Sequence, residues 1–180
     1  MRGDWGTLRS VGRARMRSKG LPALSILMLV MGNAALSRAD DPFLRRTATV
    51  DVVERVARAM TQKRIHVVDS SILVMGLTFK ENCPDLRNTR TIDIITELSS
   101  YGMTVDVWDP WVNPAEAQHE YGIDPIATPE NGAYDAIVLA VSHRQFAKLG
   151  IEKIRGFGVS NGVLFDVKYL FPADQTDGRL

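Results

Sequence analysis

Apolar residues change their spacing along this chain in a regular way. Over "VDVVERVARAM", Val52, Val53, Val56 and Met60 fall on one face of a 3.6-residue repeat, which predicts an amphipathic helix across 50–60. "SILVMGL" is then apolar without alternation, the form taken by a parallel strand buried on both faces. In "RTIDIITELSSYG" the helical spacing returns with Ile92, Ile95 and Leu98 and stops at Gly102. "MTVDVWDP" predicts a second strand, closed by Pro110. "PAEAQHEYG" predicts a short helix, with Pro114 at its start and Gly122 after its end. "DAIVLAVS" predicts the third strand and "GVLFDVK" the fourth, with "HRQFAKLG" and "IEKIRGFG" as helical or turn pieces between them.

Strands alternating with helices imply an α/β fold, a Rossmann-like parallel sheet with helices on its faces. The sheet is expected over residues 70–180, with one helix and an irregular N-terminal leader ahead of it. The expected boundaries are 1–42 for the leader, which ends at "DDP", 43–69 for the helix and connection, and 70–180 for the sheet domain. In such sheets ligands bind outside the carboxyl ends of the strands. The stretches of interest are therefore Leu77–Arg87, Asp109–Trp111, Val141–Arg144 and Asp166–Tyr169.

Charge changes the picture at the N-terminus. The whole chain nets +1, yet residues 1–20 carry five arginines and Lys19 against Asp4, so the remainder is mildly acidic. An acidic body argues against nucleic acid as the main partner, since phosphate binding needs a basic face. The basic stretch is followed by "LPALSILMLVMGNAAL" and "SRADD", the order of a secretory signal. That apolar run is too short to span a membrane. Export stands as the minor alternative to a cytoplasmic domain behind an unrelated leader. The single cysteine, Cys83, excludes an intrachain disulfide, and one Cys with three scattered His residues offers no metal cluster.

The first strand end carries the richest chemistry. "GLTFKENCPDLRNT" has only Gly76 where a dinucleotide fingerprint would have three glycines. The helix start near Asn88 or Thr89 still favours negative charge, and Lys80 and Arg87 add two cations suited to a phosphate or diphosphate. The competing reading pairs Arg87 with Asp85 or Glu81 and leaves Lys80 solvated. Lys168 points a third cation toward the same edge. Asp109 reads as a ribose contact or as the turn residue ahead of Pro110, the turn being favoured. Trp108 and Trp111 suit base stacking or core packing. His143 suits acid–base work or a helix-start position. Cys83, with no His near it in sequence, reads as an inert thiol. There is no G-x-S-x-G and no P-loop.

"GLTFKENCPDLRNTRTIDIITEL", "YGMTVDVWDPWV", "HEYGID" and "LFDVKYLFPADQTDGRL" together resemble the UDP-glucose/GDP-mannose dehydrogenase family, in its C-terminal, UDP-sugar-binding domain. The nearest subgroup resembles the UDP-N-acetylhexosamine 6-dehydrogenases. The resemblance covers Ser71 to Leu180, with a weaker match in "VVERVARAM" to the end of the family's central helix. It implies an NAD-dependent oxidoreductase turning a UDP-sugar into a UDP-uronate for polysaccharide biosynthesis. It implies that Phe79 and Lys80 contact the UDP-sugar, that Lys168 supplies a basic residue for the substrate, and that Arg87 reaches toward the NAD site.

The departures from the family shape the expectation. Its glycine fingerprint for NAD and its nucleophilic cysteine have no counterpart here, Cys83 lying in a different loop. Its Arg-Arg-x-Asn-Asp stretch survives only as Arg45 and Arg46, followed by Thr47 and Ala48. The chain is thus expected to be the substrate-binding last third of such an enzyme, N-terminally truncated, with no catalytic residue of its own and no turnover alone. The alternatives are a binding module, one half of a split enzyme joined to a separate NAD-binding half or to its own copies, and a non-functional gene remnant.

Overall fold

The computed structural model describes residues 42–180, with side chains from residue 48 onward. The leader and signal readings, and the side chains of Arg45 and Arg46, lie outside the described residues.

Helix α1 runs Pro42–Gln62, and α2 (Thr91–Ser100) and α3 (Pro114–Tyr121) follow strands β1 (Ser71–Met75) and β2 (Thr104–Trp108). Strand β3 (Tyr134–Leu139) leads into two short helices, α4 (Arg144–Leu149) and α5 (Ile151–Arg155). Strand β4 (Gly158–Asp166), a 3₁₀ turn at Ala173–Gln175 and strand β5 (Gly178–Arg179) complete the order. The five strands form one parallel sheet in the order β2-β1-β3-β4-β5. The sequence predicts four strands. The fifth is only two residues long, and Asp177 just ahead of it is fixed by accepting the Leu164 N–H at 2.7 Å and pairing with Lys63 and Arg155. Those contacts are all distant in sequence, so "DGRL" carries no local strand signal.

The period-2 alternation of the strands sorts side chains to two faces. Ile72, Val74, Ala136, Val138, Val163 and Phe165 join the core under α1, α2 and α3, whereas Leu73, Met75, Ile137, Leu139 and Leu164 join the core under α4 and α5. Because both faces of β1 and β3 are covered, their sequences are apolar throughout. On α1, Val52, Val53, Val56 and Met60 are all buried against this sheet. On α2 the buried stripe is Thr91, Ile94, Ile95 and Leu98, with Ile92 at its margin. Asn113 caps α3 by accepting the Ala115 N–H, and Gly122 ends it in the left-handed region at φ 67°.

The outer edge of β2 is shielded, because the Ile126 N–H donates to the Val107 carbonyl. No helix among the described residues is long and apolar enough to cross a membrane.

Candidate functional site at the switch point

Strand order reverses between β1 and β3, so the connections leaving these two strands go to opposite sides and open a crevice at their carboxyl ends. The two strand ends meet closely here. Gly76 has φ +97°, and a Cβ built on it would stand 2.5 Å from Val141 Cβ and 2.9 Å from Val141 N. Only glycine fits that backbone angle and that approach.

A loop from Leu77 to Arg90 leaves β1 over this point, and its root is fixed by side chains from both neighbouring strands. Asp109, just after β2, accepts the Leu77 and Thr78 N–H groups on Oδ2 at 2.6 and 3.0 Å and the Trp111 N–H on Oδ1 at 2.7 Å. His143, just after β3, places Nε2 3.0 Å from the same Asp109 oxygen and 3.2 Å from Thr78 Oγ1. The Asn82 N–H donates to His143 Nδ1 at 2.9 Å, so that nitrogen is the acceptor and Nε2 carries the donating proton. Thr78 passes its own hydroxyl hydrogen to the Lys80 carbonyl, and Asn82 Oδ1 accepts the Arg144 N–H. Burial acts to raise the Asp109 carboxyl, but the bonds from His143, Leu77 and Trp111 outweigh it and hold the group below its ordinary value. The sequence reading saw Asp109 as a turn residue and His143 as a helix-start residue. Both descriptions hold, since Asp109 closes the turn and His143 stands at the N-cap of α4. What it missed is that the two side chains meet across the end of β1.

This bracing holds the loop's next residues outward. Phe79 is 50% exposed, an uncommon position for a phenylalanine, and the Lys80 ammonium is exposed with no hydrogen bond or ion pair among the described residues. The Phe79 N–H is tied back to the Asp85 carbonyl at 2.8 Å. Arg87 is differently placed. Its Nε and an Nη each donate to Asp85 at 3.0 Å, as does its backbone N–H. The Arg87 side-chain bond and then its N–H lower the Asp85 carboxyl to about 2. Both halves of the competing reading are seen, Arg87 being paired with Asp85 and the Lys80 ammonium standing in solvent. Lys168 is exposed past the end of β4, its N–H bound by the buried Asp166, and stands two strands from β1, about 10 Å across the sheet.

The helix start expected near Asn88 or Thr89 lies at Thr91, with Thr89 Oγ1 accepting the Thr91 N–H. Trp108 packs on Phe146 and Phe157, the core-packing reading. Trp111 donates its indole N–H to Gln145, and the Arg144 guanidinium lies 5.4 Å over its ring. Cys83 is a half-buried free thiol, and no cluster among the described residues is built to hold a metal.

Residues 73–173 match the model of the UDP-glucose/GDP-mannose dehydrogenase family, UDP binding domain. Over 129 residues the chain is 54% identical to the UDP-N-acetyl-D-glucosamine 6-dehydrogenase of Pseudomonas aeruginosa, using 72% of this chain and 31% of that protein. It is 52% identical to the enzyme of the same name from Salmonella typhi, covering 72% of this chain and 30% of the relative. Among solved structures, the NDP-N-acetyl-D-galactosaminuronic acid dehydrogenase of Methanosarcina mazei Go1 superposes with a TM-score of 0.66 at 18% identity, over 82% of this chain and 31% of that one. The chain thus spans about a third of the length of the relatives it matches.

Proposed function

Because the chain belongs to the UDP-glucose/GDP-mannose dehydrogenase family, through its UDP binding domain, we propose that it forms the nucleotide-sugar-binding part of an NAD-dependent UDP-sugar 6-dehydrogenase acting on a UDP-N-acetylhexosamine in polysaccharide biosynthesis. The observation that carries the reading is the pair Phe79 and Lys80, held outward at the switch point on a loop whose root is fixed by Asp109 and His143. Lys80 is a free cation for the diphosphate, and Phe79 offers an apolar face to the base or sugar. Lys168 is near enough for an extended nucleotide sugar to reach both lysines. A diphosphate between two lysines gains charge-assisted hydrogen bonds that strengthen as water is excluded.

The switch point of this domain does not fit NAD. The loop has no glycine beyond Gly76 at its root, and the Asp109 and His143 side chains fill the end of β1, where a pyrophosphate would rest on glycine amides. NAD supplies a hydride acceptor when bound to the complete family fold. Arg87 is this chain's candidate contribution to that cofactor, and it would have to leave or share Asp85 to make it. The reading implies a nucleotide-sugar enzyme of the cytoplasm that works with an NAD-binding half or in an oligomer. The covered apolar face of α1 supports a folded binding module over a remnant with an uncovered helix face.

Calorimetric titration of the full chain with UDP and with UDP-N-acetylglucosamine tests this. Binding that weakens with salt and falls at least tenfold in both Lys80→Ala and Lys168→Ala is expected. Unchanged affinity in both variants would remove the site assignment. Production of NADH by the chain alone would contradict the assignment of chemistry to a missing partner.

A further inference from the structure

Among the described residues, the single buried side-chain nitrogen or oxygen without a hydrogen-bond partner is Nε of Arg179. The rest of that guanidinium is engaged, an Nη donating to the Phe171 carbonyl at 2.9 Å and the group lying 5.0 Å over the Tyr169 ring. A buried N–H left unbonded is rare in folded proteins and calls for an acceptor.

Arg179 lines an open cleft of about 160 Å³ where β5 meets α1. Across the cleft α1 presents Arg55, Arg58 and Gln62. The Arg58 side chain is exposed and makes no hydrogen bond or ion pair among the described residues. Arg55 shares its charge with Asp51, one helical turn back on α1, at 3.0 Å. The carboxylate that lines the cleft, Asp177, is already occupied, with Lys63 Nζ at 2.6 Å on Oδ1 and both Arg155 and the Leu164 N–H on Oδ2. Asp177 is held below its ordinary value by these partners, which overcome the opposing effect of burial. It therefore stays ionised without neutralising the arginines opposite.

We propose that this cleft is a second anion site, separate from the switch point, which takes a phosphoryl group. Three arginines lining one concave surface, of which Arg55 alone is paired with a carboxylate, concentrate positive potential there. Each guanidinium presents donors in a planar fork that matches a tetrahedral oxyanion two bonds at a time. Gln62 adds a neutral amide donor. The site is distinct from the Lys80 loop because its residues come from α1 and β5 and none belongs to the β1 loop.

The test is isothermal titration of the full chain at low salt with inorganic phosphate, inorganic pyrophosphate and UDP, each in wild type, Lys80→Ala and Arg58→Ala. The Arg58 side chain is exposed and has no partner among the described residues, so its truncation is expected to leave the fold intact. Saturable pyrophosphate binding is expected in wild type and in Lys80→Ala, weakened about tenfold or more in Arg58→Ala and weakened by added salt. Arg58→Lys should restore only part of it, because lysine keeps the charge and loses the fork. A response to pyrophosphate but not to phosphate would assign the site to diphosphate esters, and a response to both would assign it to any phosphoryl group. No saturable binding in wild type would overturn the proposal. So would binding untouched by Arg58→Ala, or binding lost in Lys80→Ala, which would return the anion to the switch-point loop. The Lys80→Ala background separates this site from the switch point, because the switch-point loop loses its free cation there while the cleft keeps all of its residues.

Discussion

His143 Nε2 and Asp109 Oδ2 stand 3.0 Å apart with both side chains wholly out of solvent, joining the residues that follow β3 and β2 over the end of the strand between them. The same Asp109 oxygen holds two loop amides, and the other His143 nitrogen holds a third. Removing the imidazole leaves one Asp109 bond unmet in a buried place and frees the Asn82 N–H at its partly exposed rim. His143→Ala is expected to cost about 3 kcal/mol, and His143→Asn, whose amide oxygen reproduces the acceptor at Nδ1, about half of that. Urea unfolding of the two variants checks this, and equal losses would mean that the Asn82 bond contributes little.

Gly76→Ala tests the closure of the switch point. Its Cβ would sit 2.5 Å from Val141 Cβ in a backbone conformation at φ +97° that side chains rarely adopt. The combination of strain and overlap predicts a loss of about 3 kcal/mol or an insoluble chain. Pairing it with Val141→Ala relieves the side-chain clash but not the backbone angle, so only partial recovery of the melting temperature is expected.

Acid should unfold the protein partly through Asp109. Its folded value lies below its unfolded value of about 3.9, so the folded state holds the proton less tightly. The associated stability is fully present above about pH 4 and is lost as pH falls through the depressed folded value. Asp177 acts in the same sense. Melting temperatures of wild type and Asp109→Asn should converge as pH falls below about 4, after a wide gap at pH 7. A constant gap across that range would show that the Asp109 proton is not linked to folding.

Asp85 is expected to compete with an anionic ligand for Arg87 and, more weakly, for Lys80. Asp85→Ala removes an exposed pair of little consequence for stability, so the melting temperature should hold. UDP affinity should rise a few-fold as Arg87 is released and the local negative charge disappears. A fall in affinity would show instead that the pair shapes the loop, through the Asp85 bond to the Arg87 N–H.

Much of this protein was legible in its residues. The unbroken apolar runs of β1 and β3 announce strands buried on both faces, and Pro114 with Gly122 frames α3, because these signals depend on neighbours only a few residues away. Lys80, Phe79 and Lys168 could be placed at strand ends for the same reason, since strand and helix order alone fixes which edge they occupy. The sequence by itself thus determined the layers, the edge and the residue types available there. Only the tertiary structure decided the partners. Strand β5 exists because Asp177 finds Lys63, Arg155 and Leu164, and Arg87 is held because Asp85 turns back toward it. His143 meets Asp109 across 34 residues because the sheet places β1 between the strands that carry them. Such pairings are chosen by burial and hydrogen-bond satisfaction in the assembled sheet, energies that no local stretch of chain contains.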